Sequence, residues 1–176
     1  WKLGGSHSPS PLNSEAHQGD FSAEILQNLN PLLNLIRVPK KPNILMDEWE
    51  SKIKAIVENT WNKDVNSLSG VPSWMLVLIK AVLKKTGKEY LTDVWPNLEV
   101  FFHGGISFEP YREQYKTLIP SNKMHYMETY NASEGFFGLQ DDPTDPSLLM
   151  MPDYGIFYEF IPMHEVGSAH PTVLPL

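Results

Sequence analysis

The sequence predicts an α/β fold, a parallel βαβαβ sheet with helices, followed by a small antiparallel β extension. Short apolar segments alternate with helical patterns between residues 65 and 129, and this order builds a parallel sheet with right-handed crossovers. After Glu134 the apolar segments follow one another without helical patterns between them. Turn-forming sequences separate these segments, which is typical of antiparallel strands.

The composition bounds the class of protein. The chain has 176 residues, of which 41% are hydrophobic and 20% charged, enough for one globular domain. Its net charge is −7 and its 14 Lys and Arg are scattered, which argues against nucleic-acid binding. No apolar run is long enough for a membrane span. The absence of cysteine fits a reducing cytoplasm.

Residues 1–46 are predicted to be a loop and helix lead-in. Residues 4–20 are rich in Gly, Ser, Pro and Asn and indicate a loop. Phe21 to Leu35 has helical spacing of its apolar residues, although Pro31 interrupts it. The chain starts at Trp1 without Met, so we expect upstream sequence.

Residues 47–130 are predicted to form a helix and then the parallel unit. Asp47 and Glu50 resemble a capping box at the first helix. Strands are expected at 65–68, 98–103 and 124–129. The helix between the first two runs to Lys85 before Gly87, and its apolar residues predict burial on more than one side. The helix before the third strand is expected to start at Ser107, with Phe108, Tyr111, Tyr115, Leu118 and Ile119 facing inward.

Residues 131–176 are predicted to form the motif loop and antiparallel strands. The strands are expected at 136–140, 148–151 and 156–161. With the two preceding parts they make a single partial domain, 1–176.

Two motifs at the ends of neighbouring strands suggest a nucleotide site. His103-Gly104-Gly105 ends one strand, and Tyr130-Asn131-Ala132-Ser133-Glu134 follows the next. Ligands in α/β sheets bind outside the carboxyl ends of the strands, and glycine lets a ligand approach the backbone. A loop carboxylate such as Glu134 can hold Mg²⁺ against phosphates. The same residues also fit a tight turn and a polar cap.

Other candidate residues carry weaker signals. His103 lies where it could meet a substrate carboxylate, although a lone histidine is more often structural. Glu128 and Glu134 form a possible carboxylate pair, but Glu128 lies inside a strand. His7 and His17 lack metal-ligand spacing. The carboxylates of residues 141–145 lack the pattern of a calcium loop and indicate a solvated turn.

Three longer motifs resemble the auxin-responsive-promoter family of acyl-acid amido synthetases. They are residues 101–115 (FFHGGISFEPYREQY), 130–140 (YNASEGFFGLQ) and 151–162 (MPDYGIFYEFIP). The segments at 69–74 and 19–23 fit as well, and the bacterial branch is the most similar. The resemblance implies part of an adenylate-forming N-terminal domain. It also implies a cytoplasmic ligase that activates a small carboxylic acid with ATP and Mg²⁺ and passes the acyl group to an amine or amino acid.

The resemblance also implies roles for individual residues. Tyr130 would lie against adenine, Ser133 would contact the α-phosphate, and Glu134 would bind Mg²⁺ as the catalytic carboxylate. Gly104, Gly105 and Ile106 would line the adenine and acyl pocket through their backbone. Val71 would border the substrate acid.

Several departures from the family pattern limit this expectation. Ala132 stands where plant members have Ser. The upstream phosphate loop, the downstream ribose-binding motif and the catalytic Lys of a C-terminal domain are not found in these 176 residues. We therefore expect an inactive internal fragment. A non-catalytic nucleotide- or acid-binding protein and an acyl-CoA-type ligase remain alternatives.

Overall fold

A computed structural model describes residues 7–10, 13–19, 28–40, 46 and 48–176. Its centre is a five-stranded sheet made of β3 (Ser67–Gly70), β4 (Val100–Gly104), β5 (His125–Ala132), β6 (Gly135–Leu139) and β7 (Leu149–Met150), in that spatial order. The pairs β3–β4 and β4–β5 are parallel. The pairs β5–β6 and β6–β7 are antiparallel. The predicted α/β class is confirmed.

The first crossover runs through the helix α3 (Pro72–Thr86). Proline suits the first helical position because its missing N–H has no intrahelical partner there. At the other end, Gly87 has a left-handed φ of 67°, and its N–H donates to the carbonyl of Leu83 over 2.9 Å. This is the glycine C-cap that the sequence predicts.

The helix α2 (Trp49–Thr60) packs against α3. Its N-cap is Glu48, whose carboxylate accepts from the N–H groups of Glu50 and Ser51. The predicted cap, Asp47, lies outside the described residues. An exposed ion pair between Lys85 and Glu58, 2.7 Å long, joins the two helices, and such pairs contribute about 0–1 kcal/mol.

The second crossover differs from its prediction at its start. A 3₁₀ turn at Glu109–Tyr111 leads into α4 (Arg112–Leu118), and neither has a side-chain cap. The cap expected at Ser107 is therefore wrong. Tyr111 with its φ of −103° joins the two helical segments, so the chain enters α4 already helical and needs no separate cap. The expected inward face is confirmed, because Phe108, Tyr115 and Ile119 are buried.

The hydrophobic core lies between one face of the sheet and the helices. Leu68 of β3 and Phe101 of β4 are fully buried on this face, whereas Phe102, which alternates with Phe101, is 37% exposed. The helix α3 contributes one broad face to the core: Pro72, Met75, Leu76, Leu78, Ile79, Val82 and Leu83. Trp74 and Val77, which lie outside this face, are 48% and 47% exposed, so the expected burial of α3 on more than one side is wrong.

The antiparallel extension continues the parallel sheet. The strands β6 and β7 add to β5 within one sheet, so the predicted antiparallel extension is confirmed. Of residues 156–161, only β8 (Glu159–Phe160) is a strand, and it pairs with β9 (Leu174–Pro175) in a two-stranded sheet. Sequence patterns identify strands but not their partners, because pairing register is a tertiary property.

The N-terminal part contains a second correction. The strands β1 (His7–Ser10) and β2 (Asn13–Gly19) form an antiparallel pair, where the sequence predicts a loop. Backbone pairing needs no apolar side chains, so polar strands escape detection by periodicity. The helix predicted for Phe21 to Leu35 falls partly outside the described residues. Within them, residues 28–32 are not helical, and only the short helix α1 (Leu33–Ile36) is present. The proposed division into 1–46, 47–130 and 131–176 stays a prediction.

Candidate functional site at the carboxyl edge of the sheet

Three parallel strands end at the same edge of the sheet. Gly70 pairs with His103, and Gly104 pairs with Thr129. Val71 and Gly105 therefore leave their strands at the level where Tyr130 follows Thr129. A Cβ atom placed on Gly105 would lie 3.5 Å from Cγ2 of Val71. The fold thus brings together the predicted site residues Val71, Gly104, Gly105 and Tyr130, in the position where α/β sheets bind ligands.

The two adjacent glycines are required for different reasons. Gly105 has a φ of 81°, a conformation that costs residues with a Cβ roughly 1–2 kcal/mol. Gly104 has no positive φ, but a Cβ placed on it would overlap the main-chain oxygen of Thr129 and lie 2.9 Å from the Thr129 Oγ1. Gly104 therefore allows close approach of β4 and β5. Gly105 allows the turn that follows, and both Gly105 and Ile106 are exposed.

Tyr130 lies within β5 and not in a loop, because the strand extends to Ala132. Its side chain is 57% exposed. The ring centroid lies 5.1 Å from that of Phe137, with the two planes tilted by 36°. A β-bulge between Tyr130 and Asn131 shifts the pairing with β6 at this point. The aromatic surface of Tyr130 is accessible to a ligand at the edge of the sheet.

Ser133 and Glu134 form a two-residue turn between β5 and β6. The predicted motif loop is therefore the tip of a hairpin. Neither residue has a positive φ, so the turn is not one of the primed types that match the twist of paired strands. Ser133 is four residues beyond Thr129, about 13 Å along an extended strand. Both side chains of the turn are exposed and stand beyond the glycine pair.

The acidic residues are dispersed. Across the described ranges, no group of three or more His, Cys, Asp or Glu side chains is arranged to hold a metal ion. Glu134 is thus a single exposed carboxylate. Mg²⁺ is commonly bound by one or two carboxylates together with substrate phosphates, so Glu134 alone is compatible with a metal that arrives with a nucleotide.

His103 belongs to the core and not to the exposed edge. Its side chain is 3% exposed and stacks on Phe108 with a centroid distance of 4.3 Å. Burial lowers the pKa of His103 to about 4, and the positive charge of Arg112 acts in the same direction. The ring is therefore neutral at pH 7. Its predicted contact with a substrate carboxylate stays a prediction, and the burial of the ring counts against it.

The environment of His103 is an aromatic cluster of Phe101, His103, Phe108, Tyr115 and Tyr126. The hydroxyl of Tyr115 donates to the carbonyl of Pro72 over 2.8 Å, and burial strongly raises the pKa of Tyr115. Burial raises the pKa of Tyr126 to about 12. The His103 Nδ1 and the Tyr126 hydroxyl are buried and have no hydrogen-bond partner among the residues that the structure describes. This buried cluster therefore packs around His103, the residue that directly precedes the glycine pair.

The remaining sequence candidates have structural environments. The Glu128 N–H donates to Oε1 of the buried Gln140 over 3.0 Å, and Glu128 lies in β5, away from the tip that carries Glu134. The Asp142 carboxylate accepts from the N–H and hydroxyl of Thr144, each over 2.7 Å, and these bonds lower the pKa of Asp142. The Asp145 carboxylate accepts from the Ser147 N–H. The expected solvated turn is confirmed.

A groove of about 820 Å³ lies between α2 and α3. Trp49, Ile53, Val57, Val77 and Ala81 form its apolar lining, with three lysines and two glutamates around them. The groove follows the outer surfaces of the helices and does not include the residues at the carboxyl edge. Because the convergent glycine turn, aromatic ring and carboxylate are elsewhere, we assign the candidate site to the edge and not to the groove.

Comparison with known proteins supports the resemblance. Residues 15–124 match the GH3 family N-terminal domain. The chain belongs to the GH3 family. Members of this family are in general acyl-adenylate-forming ligases. None of the curated proteins that were compared matches the chain.

The GH3 match covers only part of the candidate site. It includes Val71 and residues 103–106, and it ends at Met124, before Tyr130, Ser133 and Glu134. The assignment of those three residues therefore depends on the motif and on their position in the fold.

Thr129 was missed by sequence reasoning, because nothing in its sequence context distinguishes it from other strand residues. Its contacts with His103 and Gly104 become visible only when β4 and β5 pair.

Proposed function

We propose that the full-length protein containing this chain is an ATP-dependent acyl-acid amido synthetase. It activates a carboxylic acid as the acyl-adenylate and transfers the acyl group to an amine or amino acid. The observation that carries this proposal is membership of the GH3 family. The convergence of Val71, Gly104, Gly105 and Tyr130 at one sheet edge supports it, since this is where α/β folds bind nucleotides.

The proposed roles follow the order of residues along the edge and the hairpin. Tyr130 packs against adenine with its exposed ring. The backbone of residues 104–106 lines the adenine and acyl pocket, and the lack of a side chain at Gly105 permits close approach there. Ser133 contacts the α-phosphate, and Glu134 binds Mg²⁺. Val71, whose Cγ2 lies 3.5 Å from the position that a Cβ on Gly105 would take, borders the substrate acid.

ATP supplies the leaving pyrophosphate that makes activation of the acid favourable. The task of the protein is to orient the acid carboxylate towards the α-phosphate and to neutralise the phosphate charge, which needs positioning more than a nucleophile. An exposed Glu134 fits this task, because a metal held by one protein carboxylate keeps positions for phosphate oxygens. Its place at the tip of a hairpin, beyond the glycine pair, suits a contact with phosphates and not with adenine.

The setting of the activity is part of the proposal. No helix in the described part of the chain has the length and apolar character needed to cross a bilayer. We place the enzyme in the cytoplasm, with small acid and amine substrates and no nucleic-acid or membrane partner. Residues 1–176 then form the middle of an adenylation domain.

The test is exchange of labelled pyrophosphate into ATP by the full-length protein, with a panel of aryl, indolyl and fatty acids. Exchange that depends on one acid establishes adenylation and identifies the substrate class. The variant Glu134→Gln removes the charge of the carboxylate and should reduce exchange at least tenfold with an unchanged melting temperature. Glu159→Gln, an exposed carboxylate in β8, is the matched control and should behave as wild type.

The outcomes separate the alternatives. AMP release that requires an amine supports the amido synthetase, whereas release that requires a thiol identifies an acyl-CoA-type ligase. A folded protein that binds ATP but exchanges no pyrophosphate with any acid indicates a non-catalytic binding protein. Equal exchange by Glu134→Gln and wild type would remove Glu134 from the metal site.

A further inference from the structure

Thr129 lies where the parallel sheet ends. The pair Gly104–Thr129 is the last in the β4–β5 ladder. Beyond it, β5 continues to Ala132 and pairs with β6 alone. The Thr129 hydroxyl donates to the carbonyl of His103 over 3.1 Å. This side-chain bond joins the two strands at the point where their backbone ladder stops.

The fit between Thr129 and Gly104 is close. A Cβ on Gly104 would overlap the Thr129 main-chain oxygen and come within 2.9 Å of its Oγ1. The space that a side chain at position 104 would need is therefore filled by Thr129 and not by a ligand. Gly104 serves strand pairing, and the freedom to contact a ligand belongs to the backbone that follows it.

Gly104 and Thr129 are each followed by a residue of the candidate site, Gly105 and Tyr130. Gly105 follows Gly104 with a φ of 81°. A Cβ placed on Gly105 would lie 3.5 Å from the Val71 Cγ2, so Val71 is next to this turn. Tyr130 directly follows Thr129. The distance between the Gly105 turn and the Tyr130 ring therefore depends on how Thr129 holds the end of β4.

We propose that Thr129 is a positioning residue whose hydroxyl fixes the His103–Gly104 backbone relative to Tyr130. Loss of the hydroxyl leaves the ladder intact up to His103 but frees the last pair, so the glycine turn separates from the aromatic ring. The proposal rests on the proposed function in one respect, namely that a nucleotide binds between the turn and the ring.

The experiment uses the full-length protein and three variants. Thr129→Val is isosteric and removes the hydroxyl, and Thr129→Ser keeps it. Thr117→Val is the matched control, because the Thr117 hydroxyl also donates to a main-chain carbonyl, that of Glu113 in the exposed part of α4, over 2.9 Å. The measurements are the dissociation constant of Mg·ATP by calorimetry, the melting temperature, and amide hydrogen exchange at residues 104–106.

A single hydrogen bond has a net effect of up to about tenfold on an equilibrium. We expect Thr129→Val to weaken Mg·ATP binding by about threefold to tenfold and to accelerate amide exchange at residues 104–106. Thr129→Ser should bind Mg·ATP within about twofold of wild type. Thr117→Val should match wild type in Mg·ATP affinity and in amide exchange. Wild-type affinity and exchange in Thr129→Val would overturn the proposal. Equal loss in the Val and Ser variants would overturn it too.

The test distinguishes this proposal from the proposed function. If wild-type protein binds no nucleotide, the proposed function fails, and amide exchange alone decides the role of Thr129. Faster exchange at residues 104–106 in Thr129→Val, restored in Thr129→Ser, then upholds the positioning role. Unchanged exchange overturns it. If Thr129→Val lowers the melting temperature and no readout is restored by Ser, the residue is structural.

Discussion

Lowering the pH should destabilise the domain through His103. The pKa of the buried ring is about 4, against 6.5 for an exposed histidine. Since the unfolded chain binds this proton more readily, the contribution to stability is present above pH 6.5 and is lost as the pH falls towards 4. At 1.36 kcal/mol per pKa unit, the whole effect is about 3 kcal/mol. Linkage places about 2 kcal/mol of it between pH 7 and pH 5.

The assay compares wild type with His103→Phe, which keeps a ring against Phe108 and removes the titrating group. In urea denaturation, we expect the free energy of unfolding of the wild type to fall by about 2 kcal/mol more than that of the variant between pH 7 and pH 5. An NMR titration of the His103 ring should give a midpoint near the pKa of about 4. Titration at or above 6.5 would refute the reasoning, because burial would then not control the pKa of the ring. Equal pH dependence in both proteins would refute it as well.

Three further predictions concern neighbouring residues. Burial raises the pKa of Tyr126 to about 12. The contribution of Tyr126 to the free energy of unfolding should therefore be fully present below pH 10 and be lost between pH 10 and 12. Absorbance titration of wild type and Tyr126→Phe tests this, and ionisation near pH 10 would contradict it. Gly104→Ala should lower the free energy of unfolding by about 1–3 kcal/mol or more, because the new methyl group meets backbone atoms of Thr129. An unchanged melting temperature would show that β4 and β5 can move apart at no cost. Gln140→Leu leaves the Glu128 N–H and the Asp145 carbonyl without their partner. Chemical denaturation should show a free energy of unfolding lower by about 1–3 kcal/mol. An unchanged free energy would indicate that water replaces the amide.

The central elements were predictable because local chemistry determines them. Pro72 and Gly87 bracket α3 in the sequence as they do in the structure. The inward face of Phe108, Tyr115 and Ile119 follows from helical spacing, and their burial agrees with it. These signals lie within one segment and need no knowledge of its partners.

The structure differs from the sequence predictions where a residue's position depends on the strand that it pairs with. Residues 130–132 are mostly polar and suggested a loop, but pairing with β6 makes them a strand. The requirement for glycine at position 104 also depends on a partner, because Thr129 of the neighbouring strand fills the space that a side chain there would need. His103 was expected at the exposed edge, but the alternation of β4 places it with Phe101 in the core. A sequence shows the residue types of a site and leaves open which face each one occupies.

The parallel order of the sheet also affects how the protein folds. Ser67 pairs with Val100, 33 residues later, and Val100 pairs with His125 after a further 25 residues. Each pairing requires closure of a long crossover, which slows folding. The β5–β6 hairpin, closed by the two residues Ser133 and Glu134, needs only local contacts of a kind that form within about 1–10 μs. The proposed phosphate-binding tip can thus acquire its shape early, whereas the edge that joins Val71, Gly105 and Tyr130 is complete only after the slowest contacts have formed.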